Sequence, residues 1–117
     1  MSILGREAIL GARDLKTETV RVPEWGGEVI VATMTGAARD AWEQSLIGDG
    51  KGKLDMANIS ARLLALCAVD GSGNRIFTDK DAEALGKRSA KALKRCVSVI
   101  QKLNGITDTD LEDAKGN

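Results

Sequence analysis

The stretch "TETVRVPEWGGEVIVATMTGAARDAWEQSL", residues 17–46, decides the fold. Its opening alternates, with Val20 and Val22 on one side and Thr19 and Arg21 on the other, the period-2 pattern of a half-buried strand. Pro23 cannot donate to a ladder, and Gly26 and Gly27 tolerate positive φ, so "PEWGG" turns the chain. "EVIVATM" then resumes with β-branched residues. The two runs predict a β-hairpin with a short loop. Such a hairpin is barely stable alone in water, so another layer must cover it.

The helix follows at once. Thr35 is a plausible N-cap for "GAARDAWEQSL". Ala38, Ala41, Trp42, Ser45 and Leu46 fall on one face at helical spacing. Small residues on that face let a neighbour come close, and Trp42 brings most of the apolar area. The two Trp residues of the chain are Trp25 and Trp42. Trp42 reads as core. Trp25 sits on the turn, where it either lids the hairpin or stands out as an anchor, aromatic residues being enriched at interface hot spots.

Working outward, "REAILGA" at 6–12 predicts a short helix after Gly5, marginal unless it docks. "GDGKGK" at 48–53 reads as a surface loop without Walker spacing. Asp55 caps a helix over 56–69, with Met56, Ile59, Leu63, Leu66 and Cys67 as its stripe and Leu64 and Val69 widening it. Thr78 caps a short helix in "DKDAEALGK". Ser89 begins "AKALKRCVSVIQKLN", where Leu93, Cys96, Val97 and Ile100 share a face that Leu103 extends. Asn104-Gly105 is a strong stop. The polar end from Thr107 is expected to fray. The whole predicts one α+β domain over 1–117, predominantly α, with an N-terminal hairpin packed on a bundle of about four to five helices.

Composition removes most catalytic chemistry. The 117 residues contain no His and no Tyr. The commonest general base, the usual zinc ligand and the Ser-His and Cys-His pairings therefore have no members here. No catalytic, cofactor or metal residue is assigned. Seventeen basic residues balance seventeen acidic ones, so no overall field steers the chain toward phosphate, and no nucleic-acid partner is expected. No run reaches the length of a membrane span, and no secretory leader is recognised at the start, so a cytosolic protein is expected. Cys67 and Cys96 are one disulfide or two buried thiols. In a reducing compartment, on apolar stripes, they read as small buried hydrophobes.

Two clusters are candidate sites. In "DGSGNRIFTDKD", Asp70, Ser72, Asn74 and Asp81 occupy the first, third, fifth and twelfth places of a calcium loop. Arg75, however, stands where that loop needs Gly, and Asp81 where it needs a longer Glu. A turn with a Thr78 cap explains the same letters. On "GKRSAKALKR", Lys87, Lys91, Lys94 and Arg95 line one helix side, which without interleaved aromatics reads as a solvated face. A small helical calcium- or nucleic-acid-binding regulatory module is thus the alternative class.

Three stretches together resemble the tail assembly chaperones of long-tailed, non-contractile bacteriophages and prophages. They are "DLKTETVRVPEWGGEVIVATMTGAARDAWE" at 14–43, "ISARLLALCAVDGSGNRIFTDKDAEALGKRSAKAL" at 59–93, and "KLNGITDTDLED" at 102–113. The combination carries it: Val-Pro-Glu-Trp-Gly-Gly, Thr-Gly-Ala-x-Arg-Asp, "RIFTDKD" and Leu-Asn-Gly. Ala38 departs from the Glu that would complete a capping box with Thr35. The resemblance implies a non-enzymatic protein of the bacterial host cytoplasm, absent from the mature virion. It implies binding to the tape measure protein, recruitment of tail tube protein through a frameshifted longer product, homo-oligomer formation, and no cofactor, nucleic acid or membrane. Apolar residues around the hairpin and the two central helices, namely Trp25, Met34, Trp42, Leu46 and Leu64, are the expected partner contacts.

Overall fold

The computed structural model describes residues 3–47 and 57–106. The 48–53 loop, the Asp55 cap, Met56 and the end from Thr107 lie outside these. The first helix, α1 (Arg6–Leu10), is shorter than predicted and stops at Gly11. Strand β1 (Thr17–Val22) and strand β2 (Gly27–Ala32) form the antiparallel hairpin, pairing Thr17 with Ala32 and Val22 with Gly27. The turn between them is a single 3-10 turn, Pro23–Trp25, closed by Gly26 at φ 73°. That left-handed conformation is why a glycine follows Trp25. Val20, Val22 and Val31 are buried, so the alternation read from the sequence sets the buried face.

Helix α2 (Gly36–Ile47) starts as expected, with Ala38 N–H donating to Thr35 Oγ1 at 3.0 Å. This is one half of a capping box. Helix α3 (Ile59–Cys67) ends two residues before its predicted limit. Ala68 turns extended, at φ −73° and ψ 129°, and Ala68–Val69 becomes a third strand, β3. It pairs antiparallel with β2, Ile30 opposite Val69 and Val31 opposite Ala68, giving sheet order β1-β2-β3. Val69 is therefore a strand residue, not an extension of the α3 stripe.

After β3, a 3-10 turn (Asp79–Asp81) runs into α4 (Ala82–Leu85). Thr78 opens it, its N–H donating to Asp81 Oδ2 at 2.8 Å. Helix α5 (Ala90–Asn104) has the predicted bounds: Ser89 Oγ accepts from Ala92 N–H, and Gly105 ends the helix at φ 64°.

The layers follow from which faces are apolar. Helix α5 lies on β1 and β2 and supplies the cover the hairpin requires, while α3 packs on α5, on α4 and on β2. Enclosed in this way, α3 buries Ala61, Leu63, Leu64, Ala65 and Cys67, and Leu64 has no exposed surface at all. From α5 come Leu93, Cys96, Val97 and Ile100. Burial pushes the Cys67 thiol up to about 12, against a small opposing pull from Arg75, and the Cys96 thiol up to about 11. Both cysteines are free, buried and un-ionised, as small hydrophobes are.

Asn104 fastens the two ends of this arrangement. Its Oδ1 accepts from Met34 N–H at 2.7 Å, and its Nδ2 donates to Ile100 O at 2.9 Å. Arg39 Nη1 donates to the Asn104 carbonyl at 3.0 Å. The Thr-Gly-Ala-x-Arg-Asp and Leu-Asn-Gly stretches, far apart in sequence, thus meet at the start of α2.

Candidate interaction surface

Helix α2 stands off from the body. Trp42 and Leu46 reach the core, but the small side of the same face does not close on a neighbour among the described residues. Ala38 stays half-buried, and Ala41 and Ser45 are exposed. The close packing expected of these small residues is replaced by an open groove. Ala38, Ala41 and Trp42 form one wall, and Leu66 and Arg62 of α3 the other, around a volume of about 310 Å³. Asp79 stands at its edge.

The groove's lower end is polar and tied. Arg62 Nη2 donates to Ser45 Oγ at 2.6 Å, and Nη1 to Ala57 O at 3.1 Å. Ser45 Oγ in turn donates to Trp42 O at 2.6 Å. Trp42 is only 6% exposed, and its indole N–H has no acceptor. A buried donor without a partner costs free energy, so Trp42 is held here by apolar packing and not by its polar edge. At the other end, Arg39 Nε lies 3.1 Å from Glu43 Oε1, near enough for an ion pair yet out of line for a hydrogen bond.

A second surface lies at the hairpin tip. Trp25 is 36% exposed. Its neighbour Glu24 receives Arg95 Nε on both carboxylate oxygens, at 2.9 and 3.1 Å, which fixes the turn against α5. That hydrogen bond, aided by a backbone N–H and the charges of Arg95 and Lys91, holds the Glu24 carboxyl below its ordinary value. The tip is at the Gly27 end of β2 and α2 follows the Ala32 end, and Trp25 is not among the residues that line the groove.

The five expected contact residues therefore divide. Trp25 is exposed at the tip. Met34 is half-buried beside Asn104, and Trp42 is a groove wall. Leu46 and Leu64 lie in the core, and Leu64 is enclosed by the packing of α3 against α5, α4 and β2. Ala41, Arg62 and Leu66 line the groove and were not among the expected contacts. The small-residue face of α2 was the signal for Ala41, and the apolar stripe of α3 the signal for Leu66.

The would-be calcium loop is built as a turn. Asp70 Oδ1 accepts from Ser72 N–H at 2.8 Å and Asn74 N–H at 3.1 Å, and Asp81 is taken by Thr78. Arg75, in the Gly place, sends Nε and Nη2 to Ala65 O at 3.2 and 2.9 Å and Nη2 to Asp79 at 2.9 Å. It clamps the turn to α3. On the basic side, Lys87, Lys91 and Lys94 are exposed and Arg95 is engaged with Glu24. Among the described residues no helix is long and apolar enough to cross a membrane.

The described residues form a mainly helical body with a small antiparallel sheet and an apolar groove between α2 and α3. A family model, phage tail assembly chaperone, matches residues 6–117, and the chain belongs to that family. Among solved structures it is similar to the tail assembly chaperone of bacteriophage HK97. The TM-score is 0.59 and the identity 19%, over 87% of this chain and 95% of that one. At that identity the likeness shows a shared fold. No curated protein matches the chain.

Proposed function

We propose that this protein binds the tape measure protein in the host cytoplasm, keeps it soluble, and is displaced as tail tube subunits polymerise around it. The observation that carries this reading is the family match along residues 6–117. The uncovered apolar surface supports it. A long amphipathic helix aggregates through its apolar stripe, and a groove walled by alanines, Trp42 and Leu66 suits such a helix. Many weakly bound copies along one client give avidity while each contact stays easy to displace. The protein acts without catalysis or cofactor, as an oligomer, and leaves before the virion is finished. A frameshifted longer product recruits the tube protein.

Co-expression with the tape measure protein of the same genome tests this reading. The soluble fraction of the tape measure after centrifugation should rise severalfold with this protein present, and unchanged solubility would overturn the proposal. Ala41→Glu, which places a charge in the groove from an exposed position, should remove the effect without unfolding the protein.

A further inference from the structure

The sheet has two edges, and they are finished differently. At the β3 edge the chain closes on itself: Ile76 N–H donates to Ala68 O at 3.2 Å, and Val69 is bridged to Arg75. The β1 edge has no such cover among the described residues. Thr33 N–H donates to Lys16 O at 2.8 Å, which makes this opposed pair a hydrogen-bonded one. Antiparallel pairs alternate, so Glu18, Val20 and Val22 also turn their main chain toward β2. The N–H and C=O groups of Thr17, Thr19 and Arg21 then point the other way, and all three residues are exposed. Such a row, with its members about 7 Å apart, is a template for another strand.

We infer that the outer edge of β1 is a docking site for an extended segment of a partner protein, one that sets a Lys or Arg opposite Glu18. Glu18 selects that occupant. Its side chain shares the face of Val20 and Val22, the face that α5 covers, yet it stands opposite Val31, with no cation across the hairpin. It makes no ion pair among the described residues. A charge on the inward face of an edge strand guards that edge against indiscriminate pairing. An incoming cation lifts the guard, because opposite charges directly across a ladder attract. Running antiparallel, an apolar residue, any residue, then Lys or Arg would meet Val20 and Glu18 in turn.

A second copy of β1 is a poor occupant for the same reason. Only outward-pointing residues can form the new hydrogen-bonded pairs, so Thr17, Thr19 and Arg21 must oppose one another. Antiparallel pairing of Thr17 with Thr19 sets the two Glu18 carboxylates face to face, and pairing Arg21 with Arg21 does the same to two guanidinium groups. Like charges so placed destabilise a sheet. Centring the pair on Thr19 sets each Glu18 opposite a Val20, and pairing Thr19 with Arg21 sets it opposite a Val22. Two carboxylates then lose water with no cation in return.

Amide NMR of the full chain with two synthetic peptides tests it: Val-Thr-Val-Thr-Lys-Thr-Glu, and the same peptide with Glu in place of Lys. At millimolar concentration the first should saturably slow hydrogen exchange of the Thr17, Thr19 and Arg21 amides. The second should bind severalfold more weakly, and Glu18→Lys should reverse that order. Thr19→Pro should abolish binding, because it removes an outward N–H that the β2 ladder does not use. Thr19→Val keeps that N–H and should keep binding. Should Thr19→Pro unfold the chain, the charge reversal still decides. Without peptide, the three amides should exchange fast at every protein concentration. An absence of saturable protection, equal binding of both peptides, or protection by the protein's own copies would each overturn the inference. The tape measure reading is decided separately, by the solubility assay, and neither result bears on the other.

Discussion

Ile9 and Leu10 on α1 and Val97 and Ile100 on α5 are side chains of the same chemistry with opposite fates. Those on α5 are buried under the sheet and α3, whereas those on α1 face water. The difference lies in what surrounds each helix. Helix α5 has fifteen residues, a Ser89 cap and an Asn104-Gly105 stop, and can be laid across a whole sheet. Helix α1 has five residues, ends at Gly11 and is joined to the sheet by an irregular connector. One region supplies buried core and the other supplies none.

The largest effect expected from that comparison is in the core. Leu64→Ala should destabilise the fold by about 2–5 kcal/mol, seen as a lower denaturant midpoint, because the enclosed α3 cannot collapse onto the cavity. A loss under 1 kcal/mol, the scale of a surface change, would break the assignment of α3 as the central helix. Next is Asn104→Ala, which orphans Met34 N–H. It should cost about 1–3 kcal/mol and raise amide exchange at Met34. Ser89→Ala should cost about 1 kcal/mol through the lost cap on α5.

The Glu24–Arg95 pair should be weaker still, since both groups touch solvent. Its pH dependence has a definite sign. The folded carboxyl titrates below its ordinary value of 4.5, so its contribution is present above that value and lost as pH falls through the folded one. The melting temperature of Glu24→Gln should therefore lie slightly below wild type at neutral pH and converge with it in acid. Smallest of all, Leu10→Asp should change monomer stability by no more than about 0.5 kcal/mol, the usual range for an exposed position. A large loss there would erase the contrast between α1 and α5.

The sequence was legible where local chemistry is strong. Alternation at 17–22 and the Ser89 and Asn104-Gly105 signals placed β1 and α5 at their observed bounds, whereas β2 runs Gly27–Ala32 and stops short of the Met34 to which the run "EVIVATM" extended. Ala68–Val69 was illegible as a strand because two residues have no period, and only the edge of β2 makes them one. Leu64 looked available because a stripe shows that a helix has an apolar side, not how many neighbours enclose it. The groove was half legible: alanines on α2 showed a face suited to close approach, but not that the face stays open. Asn104 read as a stop signal, and its bond to Met34 joins residues that sequence spacing cannot relate.

That bond also sets an order of events during synthesis. The Met34 amide is made 70 residues before the side chain that receives it. At a ribosomal pace of about 5–20 residues per second, it waits roughly 4–14 s for Asn104 to be made. The β1–β2 hairpin closes within microseconds of emerging, yet its cover, α5, comes last. The nascent chain therefore passes through an interval in which the apolar face of the β1–β2 hairpin is bare. A protein whose proposed task is to shield another's apolar surface thus has its own sheet unshielded until α5 arrives.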